Sequence, residues 1–143
     1  MIWVIDASVA ICWFVEEESH PVADRILEKL IDEPVLFAVP ELFCFEVYSV
    51  LLRVHPLGLK VFREGVIPLL QAGLFRQPMT EKLARLAFRF VQLGLTGYDA
   101  CYAALAKDLK GLWITFDQKA HQSIQREHVS WFLEKGLPAS WPE

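Results

Sequence analysis

The sequence contains no C-x-x-C pair, and its three cysteines, Cys12, Cys44 and Cys101, lie far apart in apolar stretches. They read as small buried hydrophobes in a reducing compartment, not as a zinc site. No stretch reaches the roughly 18 uninterrupted apolar residues of a membrane span. No basic segment precedes the first apolar run, and Asp6 interrupts that run early, so a secretory signal is not expected. Both absences lead to the expectation of a cytoplasmic protein with no membrane partner. A basic excess is missing too. Net charge is −4, so any contact with nucleic acid must rest on a local basic patch or on bound metal. Glycines number only 7, and no Gly/Ser linker, low-complexity tract or repeat divides the chain. The 143 residues are expected to form one domain, residues 1–143, around one core.

What is abundant is apolar surface. Hydrophobic residues make up 54% of the chain and aromatics 13%, which is high for a soluble domain. A partner or a homodimer is expected to cover part of that surface.

The pattern alternates strand and helix. Residues 2–5 read as a short buried strand, and Ser8 can cap a helix running to about Val15. Residues 16–33 read as a helix with Pro21 near its start, where proline is tolerated, and with an apolar stripe at Val22, Ile26, Leu27 and Leu30. Residues 35–39 read as a second strand. Residues 41–54 form a strongly apolar helix, broken by H-P-L-G at 55–58. Residues 59–72 are expected to be helical, weakened or kinked by Gly65 and Pro68. Residues 74–77 read as a short edge strand, and Thr80 opens a helix to about Leu93. Thr96 opens another, ending at Lys110 with Gly111 at the C′ position. Strands at 112–115 and 129–133 flank a helix starting at Asp117. Strands separated by helices imply a parallel sheet with helices on both faces, an α/β fold. Continuous rather than alternating apolar strands agree with that.

Four acids stand in apolar surroundings: Asp6, Glu46, Asp99 and Asp117. In an open parallel sheet, sites lie beyond the carboxyl ends of strands. Asp6 directly follows the first strand, and Asp117 follows the 112–115 strand by one residue. Asp6 can be a turn or capping acid, but Ser8 can cap that helix itself, which leaves Asp6 without a local task. Asp117 can be the N-cap of the next helix. Thr96 to Asp99 fits a capping box with an acidic N3 residue. Glu46 either belongs to a solvated stripe with Ser49 and Arg53, or it faces a polar cleft. Taken together, unneutralised carboxylates would repel and raise one another's pKa. A cluster of carboxylate oxygens without Cys or His is what Mg²⁺ or Mn²⁺ requires.

Four motifs carry a resemblance: V-I-D-A-S at 4–8, P-E-L-x-x-x-E-V at 40–47, T-x-Y-D-A-x-Y-x-A-L-A at 96–106, and T-F-D at 115–117. Their order and spacing resemble the PIN domain family over essentially the whole chain, most closely the toxins of VapBC-type toxin–antitoxin pairs. The resemblance implies a three-layer α/β/α fold with a parallel five-stranded sheet in the order 3-2-1-4-5. It implies that Asp6, Glu46, Asp99 and Asp117 are catalytic and ligate Mg²⁺ or Mn²⁺. Ser8 and Thr115 would then bond a ligating carboxylate or a metal-bound water. The implied activity is endoribonuclease, with a metal-activated water attacking phosphorus and leaving 5′-phosphate and 3′-hydroxyl ends. The implied partners are an RNA substrate, a VapB-type antitoxin on the apolar helices at 41–54 and 59–75, and a second copy. Many members carry Asn three residues after the middle Glu, where this chain has Ser49. That removes an auxiliary polar contact and leaves the four acids intact.

Lys82, Arg85 and Arg89 share one helical face, and Lys119 follows Asp117. They are either solvated charge or a stripe guiding RNA phosphates. Two other readings fit part of the pattern. One is a PIN-like module that binds RNA or protein without catalysis. The other is a phosphotransferase of the haloacid dehalogenase type, which needs a second Asp two residues after the first; Ser8 stands there.

Overall fold

The computed structural model describes residues 1–142. The chain runs β1 (Trp3–Ile5), α1 (Ala7–Phe14), α2 (Pro21–Asp32), β2 (Phe37–Pro40), α3 (Leu42–Val54), α4 (Gly58–Val61), α5 (Ile67–Leu70), β3 (Phe75–Gln77), α6 (Glu81–Gln92), α7 (Gly97–Asp108), β4 (Leu112–Thr115), α8 (Gln118–Ile124) and β5 (Ser130–Phe132). The five strands form one parallel sheet in the order β3-β2-β1-β4-β5, the order the resemblance implies. The central strands explain the continuous apolar runs: every residue of β1 and β2 is buried, as are Trp113, Ile114 and Thr115 of β4. The edge strands β3 and β5 are partly exposed.

α7 crosses one face of the sheet over β1, β2 and β4. Residues 100–106 are all buried, four of them alanines, and small side chains let the helix sit close to the strands. α6 packs alongside α7, with Leu83, Ala87 and Phe90 turned inward. On the opposite face, Ile5 meets Ala10, Trp13 and Phe14 of α1, Leu30 of α2, and Phe43 of α3. The side chains of both faces join one hydrophobic core.

Several boundaries differ from expectation for identifiable reasons. The helix expected over 16–33 is divided: a 3₁₀ turn at Glu16–Glu18 precedes α2, and His20 caps α2 by accepting from Val22 N at 3.1 Å. Pro34 opens a 3₁₀ turn, so β2 starts at Phe37 rather than at 35. The helix expected over 59–72 is three pieces, with a π-helical turn at Phe62–Val66 between α4 and α5. Pro68 would clash with the carbonyl four residues back, and that residue, Glu64, lies within the wider turn. At the end of α7, Lys110 rather than Gly111 takes the left-handed conformation, at φ 54°. Gly111 N then donates to Ala106 O at 2.8 Å, the six-to-one bond of a Schellman cap shifted by one residue. Gly111 is required for another reason: a Cβ there would lie 2.2 Å from Ile2 O, where α7 hands the chain to β4 beside β1.

Candidate functional site

Starting from β1 at the centre, the chain builds outward through β2 and β3, then returns to lay β4 on the other side of β1. The switch between β1 and β4 opens a crevice beyond their carboxyl ends. Asp6 leaves β1 there and Asp117 leaves β4.

Asp6 is buried and accepts four hydrogen bonds. Oδ1 takes Ser8 N at 3.0 Å and Ser8 Oγ at 2.5 Å; Oδ2 takes Trp113 Nε1 at 2.9 Å and Thr115 Oγ1 at 2.6 Å. Both hydroxyls are themselves oriented. Ser8 Oγ accepts from Phe116 N at 3.1 Å, and Thr115 Oγ1 accepts from Asp117 N at 3.0 Å, so their protons are directed to the carboxylate. Burial pushes the Asp6 carboxyl above its ordinary value, against the lowering by these bonds. Asp6, not Ser8, is the N-cap of α1. The task that sequence reading left vacant is therefore partly capping, and Ser8 serves Asp6 with its hydroxyl.

Glu46 is half-buried, whereas Ser49 and Arg53 are exposed. It is turned away from that stripe, and its Oε1 accepts from Tyr102 Oη of α7 at 2.6 Å. Its pKa is raised by burial first, and then by the Asp6 and Asp99 charges. Asp99 sits in the first turn of α7, and its backbone N donates to the cap Thr96 Oγ1 at 3.1 Å. Burial and the charges of Asp117 and Asp6 raise its pKa. Asp117 caps α8 by accepting from Ala120 N at 3.0 Å. The structure thus brings all four acids into one electrostatically coupled group. Among the described residues, no basic side chain forms an ion pair with any of them.

The donor set suits a hard divalent cation: oxygens only, mutually repelling, and without an ion-pairing base among the described residues. Among the described residues, no donor reaches Glu46 Oε2 or Asp117 Oδ2. No three Asp, Glu, His or Cys side chains among the described residues close into a ready-made metal cage. With four hydrogen bonds on two oxygens, Asp6 has its acceptor capacity filled. For Asp6 to join such a set, Ser8 or Thr115 would have to turn its hydroxyl away.

The basic stripe of α6 is divided. Lys82 Nζ pairs with Asp108 at 2.8 Å, at the end of α7 remote from Asp99, and Arg85 pairs with Glu81 at 2.6 Å. Arg89 lines a recess with Lys107 and Glu127. Lys119 is exposed on α8, two residues from Asp117. A groove of ≈ 420 Å³ opens beside Ser8, bounded by Glu17, Glu18 and Glu134, and its charge disfavours phosphate.

Sequence reading missed two residues that touch the acids, Trp113 and Tyr102. The signal was available. Trp113 precedes Thr115 by two positions on a strand, and Tyr102 follows Asp99 by three on a helix, so each leaves the same side as a candidate site residue.

The model of the PIN domain family matches residues 3–125. No curated protein matches the chain. Among solved structures, FitAcB from Neisseria gonorrhoeae is 14% identical with a TM-score of 0.69, covering 95% of this chain and 100% of that one. PAE2754 from Pyrobaculum aerophilum is 18% identical with a TM-score of 0.65, covering 94% and 92%. VapC20 of Mycobacterium tuberculosis, a sarcin-ricin loop cleaving toxin, is 14% identical with a TM-score of 0.67, covering 85% and 94%. Identities this low speak for the fold alone. The family match over residues 3–125, with the same sheet order and the acids at its crevice, establishes that the chain belongs to the PIN domain family.

Proposed function

We propose that the chain is a metal-dependent endoribonuclease, the toxin of a type II toxin–antitoxin pair. The observation that carries this is placement: Asp6 and Asp117 leave the carboxyl ends of β1 and β4, Glu46 of α3 and Asp99 of α7 lie near enough to feel their charges, and among the described residues none has a basic ion-pair partner. These four would hold Mg²⁺ or Mn²⁺. When bound, the cation supplies positive charge that neutralises the carboxylates, acidifies water and balances charge on the phosphate. The chain's own contribution is orientation. Ser8 and Thr115 fix the rotamer of Asp6, and Thr96 caps the helix turn that presents Asp99. The positive end of α7 also favours the charged form of Asp99. Lys119, with Lys82, Arg85 and Arg89 further out, is the proposed source of phosphate guidance, because the groove beside Ser8 is acidic.

The exposed Phe45, Tyr48 and Leu52 of α3, with Leu57 at the start of α4 and Leu59 within it, are the surface proposed for the antitoxin and for a homodimer. Sedimentation of the chain alone and with its antitoxin separates the two. A second reading, a PIN-like binding module without catalysis, is favoured by one observation, the filled acceptor capacity of Asp6.

Cleavage of structured and unstructured RNAs by antitoxin-free protein decides between them. The nuclease reading expects cutting in Mg²⁺ or Mn²⁺, none in EDTA, 5′-phosphate products, and loss in Asp6→Asn and Asp99→Asn. Folded, metal-bound wild type that cuts none of these RNAs favours the binding module.

A further inference from the structure

Beneath the acids lie two aromatic rings that the proposed chemistry does not yet use. Trp113 and Tyr102 are 0% and 1% exposed. Their rings stack with centroids 5.8 Å apart and planes 18° from parallel. Each ring carries one polar atom, and each donates to a different acid. Trp113 Nε1 reaches Asp6 Oδ2 at 2.9 Å, and Tyr102 Oη reaches Glu46 Oε1 at 2.6 Å. The two acids stand on separate elements, β1's end and α3, and the two rings stand on β4 and α7.

We propose that Trp113 and Tyr102 are positioning residues, a buried stacked pair that fixes Asp6 and Glu46 relative to each other for cation binding. Packed rings in a core hop between few rotamers, so the separation of the two donors is set by the stack. The carboxylates inherit that separation. Glu46 has most to gain. It is a long, half-exposed side chain, and among the described residues Tyr102 is its only hydrogen-bond donor. Without the phenol it is free to swing toward solvent beside Ser49 and Arg53. Asp6 keeps three other donors when the indole is lost, so its dependence on Trp113 is smaller. The pair touches carboxylates and not the reacting phosphate, so its effect passes through Asp6 and Glu46. This inference rests on the reading of the acids as a cation site.

Tyr102→Phe tests it, because it removes one oxygen and keeps the ring. Mn²⁺ affinity of metal-freed protein is measured by titration, beside Trp113→Phe and Asp6→Asn, with thermal unfolding of each in EDTA. Partners that orient a metal's ligands typically contribute 10- to 100-fold in affinity. The expectation is Mn²⁺ binding at least about tenfold weaker in Tyr102→Phe, with metal-free unfolding little changed and any loss of RNA cleavage in kcat rather than KM. Trp113→Phe, read well below its own unfolding temperature, is expected to weaken Mn²⁺ less. Mn²⁺ affinity of Tyr102→Phe equal to wild type overturns the proposal while leaving the cation site standing. A lowered unfolding temperature with unchanged Mn²⁺ affinity also overturns it, by making the pair structural only. If wild type binds Mn²⁺ no better than Asp6→Asn, the cation site and the proposal fall together.

Discussion

The cost of gathering acids is written in individual residues. Glu46 and Asp99 both have pKa values raised by burial and by their neighbours' charges. The folded state therefore holds protons more tightly than the unfolded chain, whose ordinary values are 4.5 and 3.8. Ionising these groups destabilises the fold, and the penalty is absent below the unfolded values and complete above the raised folded ones. Asp99→Asn and Glu46→Gln are accordingly expected to melt higher than wild type at pH 7 in EDTA. That advantage should shrink to nothing as pH falls below 4.5 for Glu46→Gln and below 3.8 for Asp99→Asn, read by thermal unfolding across pH. Adding Mn²⁺ should reverse the order, because ligand binding stabilises only the chain that binds it. The residue scale is also where the sequence was least informative. Asp6, Asp99 and Asp117 are visible from their places at strand and helix ends. Glu46 left two faces open, because which way a helical side chain turns depends on what packs beside it, here Tyr102. Lys82 looks free in sequence, and its ion pair with Asp108 of α7 appears only when the helices are packed, whereas Glu81 and Arg85 stand four apart on one helix and their pairing is open to sequence reading.

At the scale of elements, the alternation of apolar runs and helix-start signals was enough to order strands and helices, although the cap of α1 proved to be Asp6 and not Ser8. Gly65 and Pro68 marked the helix over 59–72 as weakened, but the π-helical form of the break was not legible, because such a turn leaves no periodic mark. The caps give a contrast that separates stability from function. Thr80 caps α6 by accepting from Leu83 N at 3.1 Å, and Thr96 caps α7 from Asp99 N at 3.1 Å. Each Thr→Ala is expected to lower stability by about 1 kcal/mol, read by denaturant midpoint. Thr80→Ala should leave kcat within about twofold, because α6 carries none of the four acids, with any loss confined to KM through Lys82 and Arg85. Thr96→Ala should reduce it about tenfold or more, because the frayed turn is the one that presents Asp99.

For the whole molecule, net charge −4 means that RNA must be drawn to a site whose own carboxylates repel it. Local cations carry that burden, so Lys119→Ala is expected to weaken RNA binding and to reduce the slope of log affinity against log salt by about 1. Binding measured over a salt series reads both. The account's central claim is that acids drawn from β1, α3, α7 and the β4–α8 junction act as one centre. Residues that act as a unit are non-additive: removing one costs about as much as removing two. The direct measurement is the RNA cleavage rate in Mn²⁺ of Asp6→Asn, Asp99→Asn and the double variant. One centre predicts that each single variant loses about 10³-fold or more and that the double variant is no slower than the worse single. Modest single losses that multiply in the double variant would contradict it, leaving separate caps and surface acids where a joint site is claimed.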